Sequence, residues 1–244
     1  LKYDIVKSYV RMPDIYQRRI VEAAHDMGIP VSGHEIFPAA FSGVDGTEHM
    51  GATSRRGYSP KQGPGGMAYE DVIQLFGKSQ RTLTPTNFGA LTGYLAKNPG
   101  YRNDPRVKLY PTWAQETVTA ENDPMARIVG PLLTGGLASM KKMYDAGTHV
   151  VAGTDTMIAT NLHAEIASYV DGGLTPFQAL QTATVNAARA LNLDAGTLEA
   201  GKLADIVLID GDPRENIANT FKVRTVIANG AAYTVDDLLK DVAK

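Results

Sequence analysis

The chain has 244 residues, a formal net charge of −2 and 43% hydrophobic content, enough to bury a sizeable core as one or two domains. Scattered Lys and Arg at near-neutral charge leave no footprint for nucleic acid, and no stretch approaches the run of apolar residues that spans a membrane. The lack of cysteine excludes disulfides and thiolate metal sites.

Strand-like sequence begins within a few residues of Leu1, so the start reads as a cut rather than a native start or a signal peptide. Residues 3–9 read as a buried strand. Pro13 suits a first helical turn, and residues 14–27 carry Ile15, Ile20, Val21 and Ala24 at helical spacing up to Gly28. A strand at 29–34, a short helix near 38–42 and a strand at 44–49 follow. Residues 54–66, rich in Gly, Pro and cations, read as a long loop. A helix near 69–78 leads to a strand at 81–86. From 87 to 118 the sequence is aromatic and proline-punctuated with no clear period, which predicts a lid or binding loop lined by Tyr94, Tyr101, Tyr110 and Trp113.

A long helix is expected over 121–146, a strand over 148–155, and helices over 162–171 and 176–191, the second opened by Thr175-Pro176. After Leu193 the texture turns to β. Residues 204–210 read as a strand closed by Gly211-Asp212-Pro213, and 223–228, Asn229-Gly230 and 231–235 form a hairpin signal.

One phrase recurs: a glycine, a short apolar run, then a residue able to bind metal. It is found at Gly28 to His34, at Gly43 to His49 and at Gly147 to Asp155. The phrase describes a helix ended by glycine, a buried parallel strand, and a ligand at the strand's carboxyl end. Residues 3–9 would add Lys7 at the same level. In a β/α barrel, strand ends converge on one mouth, so Lys7, His34, His49 and Asp155 imply a metal hydrolase. Zinc accepts imidazole and carboxylate donors, and Asp155 would take a proton from water and return it to a leaving amine. Arg11, Arg55, Arg56 and Tyr58 follow ligand-bearing strands and are candidates to grip a substrate carboxylate. His163 is a candidate substrate contact from the last loop, or a polar helix start. His25 should be exposed on its helix, and His149 should face the opposite end of the barrel.

Five βα-type strands end near residues 9, 34, 49, 86 and 155, whereas a closed barrel of this type has eight. The expected architecture is therefore α/β: a partial (β/α)8 barrel holding strands 4–8 over residues 1–193, with three strands expected before residue 1. Residues 194–244 form a C-terminal β segment of a composite β-sandwich.

The set Lys7, His34, His49 and Asp155, with Leu174 to Ala188 and Gly201 to Asp210, resembles the amidohydrolase superfamily. The nearer likeness is to its imidazolonepropionase-related and prolidase-like branch. His34-Glu-Ile-Phe-Pro, Gly46-Thr-Glu-His49 and Ser54 to Pro60 are similar to amidohydrolase domains fused to a β-propeller in exported bacterial proteins. The resemblance implies a carboxylated Lys7 bridging divalent metals, zinc ligands at His34 and His49, and Asp155 as both ligand and general base. The His-x-His pair that closes the family's first strand is absent from this sequence, so one firmly held ion of the usual two is expected.

The leading expectation is a metal-dependent hydrolase of amide, peptide or cyclic amide C–N bonds, weak or inactive as this chain alone, acting on a small-molecule or dipeptide-like substrate. The alternatives are a deaminase or lactonase of the same superfamily, or a non-catalytic metal-binding half-barrel. Expected partners are a second copy of the chain in a homo-oligomer, or a missing N-terminal half. The resemblance favours a periplasmic or exported location.

Overall fold

The computed structural model describes residues 3–9, 12–36, 39–50, 63, 67–87, 89–120 and 126–242, with side chains described from residue 134 onward in the helix that opens at 126. Five short parallel strands form one sheet in chain order: β1 (Val6–Ser8), β2 (Val31–Gly33), β3 (Gly46–Glu48), β4 (Thr82–Thr84) and β5 (His149–Val150). Between them run α1 (Asp14–Asp26), α2 (Ala39–Ser42), α3 (Glu70–Ser79), α4 (Ala90–Lys97), α5 (Thr112–Thr119) and α6 (Ala126–Asp145). Strands added one after another with helical crossovers are the construction of a β/α barrel, and the five strands are a part of one.

The register sets Lys7 beside Ser32, Ser32 beside Gly46, and Glu48 beside Thr84. Alternate residues of a strand face opposite sides, so Lys7, Ser32, Gly46, Glu48, Thr82 and Thr84 share one polar face. The other face meets the helices and carries Val6, Val31, Leu83 and Val150 along with buried Ser8 and Thr47. Val31 packs with Val21 and Ala24 of α1, Leu83 with Phe76 of α3 and Met143 of α6, and Val150 with Met140 of α6. Val31, Leu83 and Val150 are fully buried, and each such side chain contributes about 1.5–3 kcal/mol.

Helices α1 and α6 are each followed by a glycine with positive φ, Gly28 at 71° and Gly147 at 99°. That conformation is cheap only without a Cβ, and it turns the chain back toward the next strand. Gly46 has a different reason: a Cβ there would strike the Thr82 hydroxyl on the neighbouring strand.

Several expectations change. Residues 87–118 are not an aperiodic lid but α4, two short 3₁₀ turns at Pro99–Asn103 and Pro105–Leu109, and α5. The prolines stand at helix starts, where their missing N–H costs nothing, and so they punctuate helices rather than interrupt a loop. Tyr94, Tyr101 and Tyr110 pack against the core beneath instead of lining a lid, while Trp113 is half exposed. The helix expected over 176–191 is two, α8 (Pro176–Thr182) and α9 (Val185–Ala190), preceded by α7 (Thr160–Asp171). The break falls at Thr184, whose φ of −126° and ψ of −99° lie outside the helical region. The strand expected over 148–155 keeps only two residues: Val151 N–H makes a last bond to Leu83 O of β4, and Ala152 N–H turns to Thr182 O instead.

The C-terminal segment forms an antiparallel sheet of β6 (Ile206–Ile209), β7 (Val223–Ala228) and β8 (Ala231–Thr234). Asn229 and Gly230 both have positive φ, as the two-residue hairpin turn requires. A helix the sequence reading did not anticipate, α10 (Val235–Val242), follows. Phe221 leaves this segment to enter a core with Leu91, Leu95, Val107 and Ile158, and Arg106 donates to its backbone carbonyl. Among the described residues, no helix is long and apolar enough to cross a membrane.

Candidate metal centre

Five side chains gather at or near the carboxyl ends of the parallel strands. His34 directly follows β2 and His49 directly follows β3; both are buried. Their rings meet edge to face, with centroids 4.6 Å apart, and Tyr9, just past β1, stands edge-on to His34 at 5.0 Å. Asp155 lies beyond β5 with Oδ2 3.7 Å from His49 Nε2, and its side chain remains about half exposed. Lys7 sits in β1 directly beside Ser32 of β2.

Glu48, which the sequence reading passed over, joins them. Its Oε1 accepts the Ser32 hydroxyl at 2.6 Å, and its Oε2 pairs with Lys7 Nζ. Burial pushes the Glu48 carboxyl up, but the Lys7 and Ser32 hydrogen bonds and the charge of Lys7 outweigh it and hold the group below its ordinary value. Donor atoms of His34, Glu48 and His49 lie within 4.8 Å of one another. Two imidazoles and a carboxylate at that spacing are a donor set that zinc accepts.

The backbone explains how two consecutive residues reach one cluster. In a regular strand Glu48 and His49 would point to opposite faces. His49 has φ of 63°, a left-handed conformation that ends the alternation and swings its ring back beside Glu48. Thr86 at 52° and Asp155 at 50° share this feature at the exits of β4 and β5. Each such residue costs on the order of 1–3 kcal/mol, which the surrounding structure must offset. His49 is tied down from β4: its N–H donates to Thr84 O at 2.7 Å, and Met50 N–H donates to Pro85 O at 2.9 Å.

Arg11, Arg55, Arg56 and Tyr58 fall outside the described residues. His163 on α7 is partly buried beside Phe221, 5.1 Å between ring centroids. Burial, then the nearby Arg106 guanidinium, pushes its pKa down to about 4, so the ring is neutral at pH 7. Asp155 caps no helix, since Ala159 is the residue that precedes α7. His25 is exposed as expected and also pairs with Asp45 at 2.9 Å. His149 opens β5, at the amino ends of the strands.

Parallel strands laid down in order, with imidazole and carboxylate donors at their carboxyl ends, define a β/α-barrel chain with a metal-type site. The sequence profile of the amidohydrolase family matches residues 12–232, and the chain belongs to that family, whose members are metal-dependent. A 5-methylthioadenosine/S-adenosylhomocysteine deaminase of Moorella thermoacetica is 40% identical where it aligns, over 40% of this chain and 29% of its own length. An imidazolonepropionase of Deinococcus radiodurans is 36% identical over 44% of this chain and 29% of its own. Among solved structures, a Xaa-Pro dipeptidase superposes with a TM-score of 0.65 at 23% identity, covering 95% of this chain and 54% of that one. The A. niger ochratoxinase gives 0.65 at 20% identity, covering 95% and 51%. The chain thus spans about half the length of these structural neighbours, and 29% of each of these two curated relatives.

Proposed function

We propose that the chain carries the larger part of a metal-dependent hydrolase site acting on C–N bonds of a small amide, peptide or cyclic amide. The observation that carries this reading is the convergence of His34, Glu48 and His49, with donor atoms within 4.8 Å, beside Asp155. A divalent ion such as zinc held there would polarise a substrate carbonyl and bring the pKa of a water to about 7.

The chain's own residues supply the rest. His34 and His49 present buried ring nitrogens to the cluster. Glu48 adds the anionic oxygen, held in place by Ser32. Asp155 stays partly exposed beside His49, where its carboxylate would accept a proton from the attacking water and return it to the leaving nitrogen. Lys7 enters through charge. As an ammonium it neutralises Glu48 and opposes a dication. As a carbamate, the form the family resemblance implies, it would become an anionic donor next to that carboxylate. Metal loading and Lys7 carboxylation therefore support each other.

The deaminase relatives favour a second reading, in which the same site attacks an amidine carbon. Metal stoichiometry of the wild-type chain against His34→Ala and His49→Ala tests the site. Turnover of N-acyl amino acids and dipeptides against aminopurine nucleosides, measured with zinc or manganese present, separates the two chemistries. Undiminished metal in both histidine variants would remove the site. Exclusive turnover of nucleosides would replace the first reading by the second.

A further inference from the structure

Outside the metal cluster, the most deeply buried acid of the described chain is Glu165 on α7, 1% exposed. Both its oxygens accept the Asn87 backbone N–H, at 2.9 and 2.8 Å, and Oε1 also accepts the Tyr169 hydroxyl at 2.8 Å. The Thr86 backbone N–H is directed at the same carboxyl. Asn87 Nδ2 donates to Ser168 Oγ at 2.9 Å, and Ser168 Oγ donates to Glu165 O at 2.7 Å. One face of α7 thus grips the two residues that follow Pro85 at the exit of β4.

The grip falls on a strained point. Thr86 is β-branched and has φ of 52°, a conformation such residues avoid unless held. A carboxyl receiving successive backbone N–H groups is an effective holder, because burial leaves those N–H groups no water to turn to. The same exit supplies Thr84 O and Pro85 O to the N–H groups of His49 and Met50. Those two bonds flank the left-handed turn that brings the His49 ring beside His34 and Glu48.

We propose that Glu165 is a positioning residue for the metal centre: through Thr86 and Asn87 it fixes the exit of β4, and through that exit the conformation of His49. An apolar side chain of similar size could fill the space, but it would offer no acceptor to the two N–H groups. The consequence for metal binding rests on the proposed site; the backbone coupling does not.

The test is residue-resolved amide hydrogen exchange by NMR on the whole chain, comparing wild type with Glu165→Leu and Glu165→Gln. Loss of the acceptors should speed exchange at Asn87, His49 and Met50 about tenfold or more in Glu165→Leu, the effect of roughly one hydrogen bond. Val21 and Ala24 on α1 should keep their wild-type rates. Glu165→Gln, which retains one acceptor oxygen, should give a smaller change at the same amides and decides the matter if the leucine variant does not fold. Wild-type protection at His49 and Met50, or acceleration by one common factor throughout the chain, would overturn the proposal. Zinc titration of the same samples should show affinity falling with His49 protection, and unchanged affinity despite a loosened His49 would overturn it too. A wild-type chain that takes up no zinc would refute the metal reading, while the exchange comparison would still decide the coupling.

Discussion

Replacing Lys7 with methionine separates the two electrical roles that its position allows. Lys7 contacts Glu48 and its side chain is 38% exposed, so the aqueous end of the Coulomb scale applies. Unit charges about 4 Å apart then interact by roughly 1 kcal/mol, and a dication doubles that to about 2 kcal/mol of repulsion. Removing the ammonium should therefore tighten zinc binding about 30-fold relative to wild type in buffer freed of carbon dioxide. Bicarbonate should act in the opposite way on the lysine, turning a repelling cation into an added donor. Structural zinc sites with four donors bind with about 10–16 kcal/mol, so one donor is worth roughly 3 kcal/mol, or about 100-fold. The expected order of affinity is wild type with bicarbonate, then Lys7→Met in either buffer, then wild type without bicarbonate. Competition against a chromophoric zinc chelator measures all of these. Wild-type affinity that ignores bicarbonate and equals that of Lys7→Met would take the lysine out of the site.

Other outcomes follow from the fold. Burial pushes the Glu165 carboxyl from its ordinary 4.5 up to about 8, against the Asn87, Tyr169 and Thr86 hydrogen bonds. The folded chain then binds a proton that the unfolded chain has released, so this contribution is full below about 4.5 and is lost as pH rises through about 8. Glu165→Gln should flatten that part of a melting-temperature profile, and an unchanged slope would reject the assignment. Gly46→Ala drives a methyl into the Thr82 hydroxyl, an overpacking cost of about 1–3 kcal/mol. At about 2–4 °C per kcal/mol for a chain of this size, differential scanning fluorimetry should show a clear loss, partly recovered when Thr82→Ala is added; no recovery would place the strain elsewhere. Among the described residues, β1 and β5 each pair on one side only, and Val207, Leu208 and Tyr233 expose apolar surface on the second sheet. Unpaired edges and such surface promote association, so light scattering should find more than a monomer. A monodisperse monomer would contradict this.

Much of the architecture is local and hence legible in residue order. Gly28 and Gly147 end helices because a positive φ is cheap without a Cβ. Val31 and Val150 mark strands buried against helices, and Asn229-Gly230 closes its hairpin by the same backbone chemistry. Thr175 and Gln178 cap α8 reciprocally through contacts three residues apart. The repeated glycine-to-ligand phrase placed His34, His49 and Asp155 at one end of the sheet for the same reason. Prolines misled over residues 87–118, since a helix start and a loop use the residue alike until the packing around Phe221 is known.

Tertiary structure alone decided the composition of the site. Strand alternation would have set Glu48 and His49 on opposite faces, and only the left-handed His49, its N–H held by Thr84 O of β4, brings both to one cluster. Parallel register, which has no local signal, set Lys7 and Ser32 against Glu48. It was likewise the packing of α7, with one edge against Phe221 and another against the exit of β4, that set His163 beside Phe221 and Glu165 against the Asn87 backbone. Helical periodicity names the faces of such an element, but what each face meets is set by chain far away in sequence.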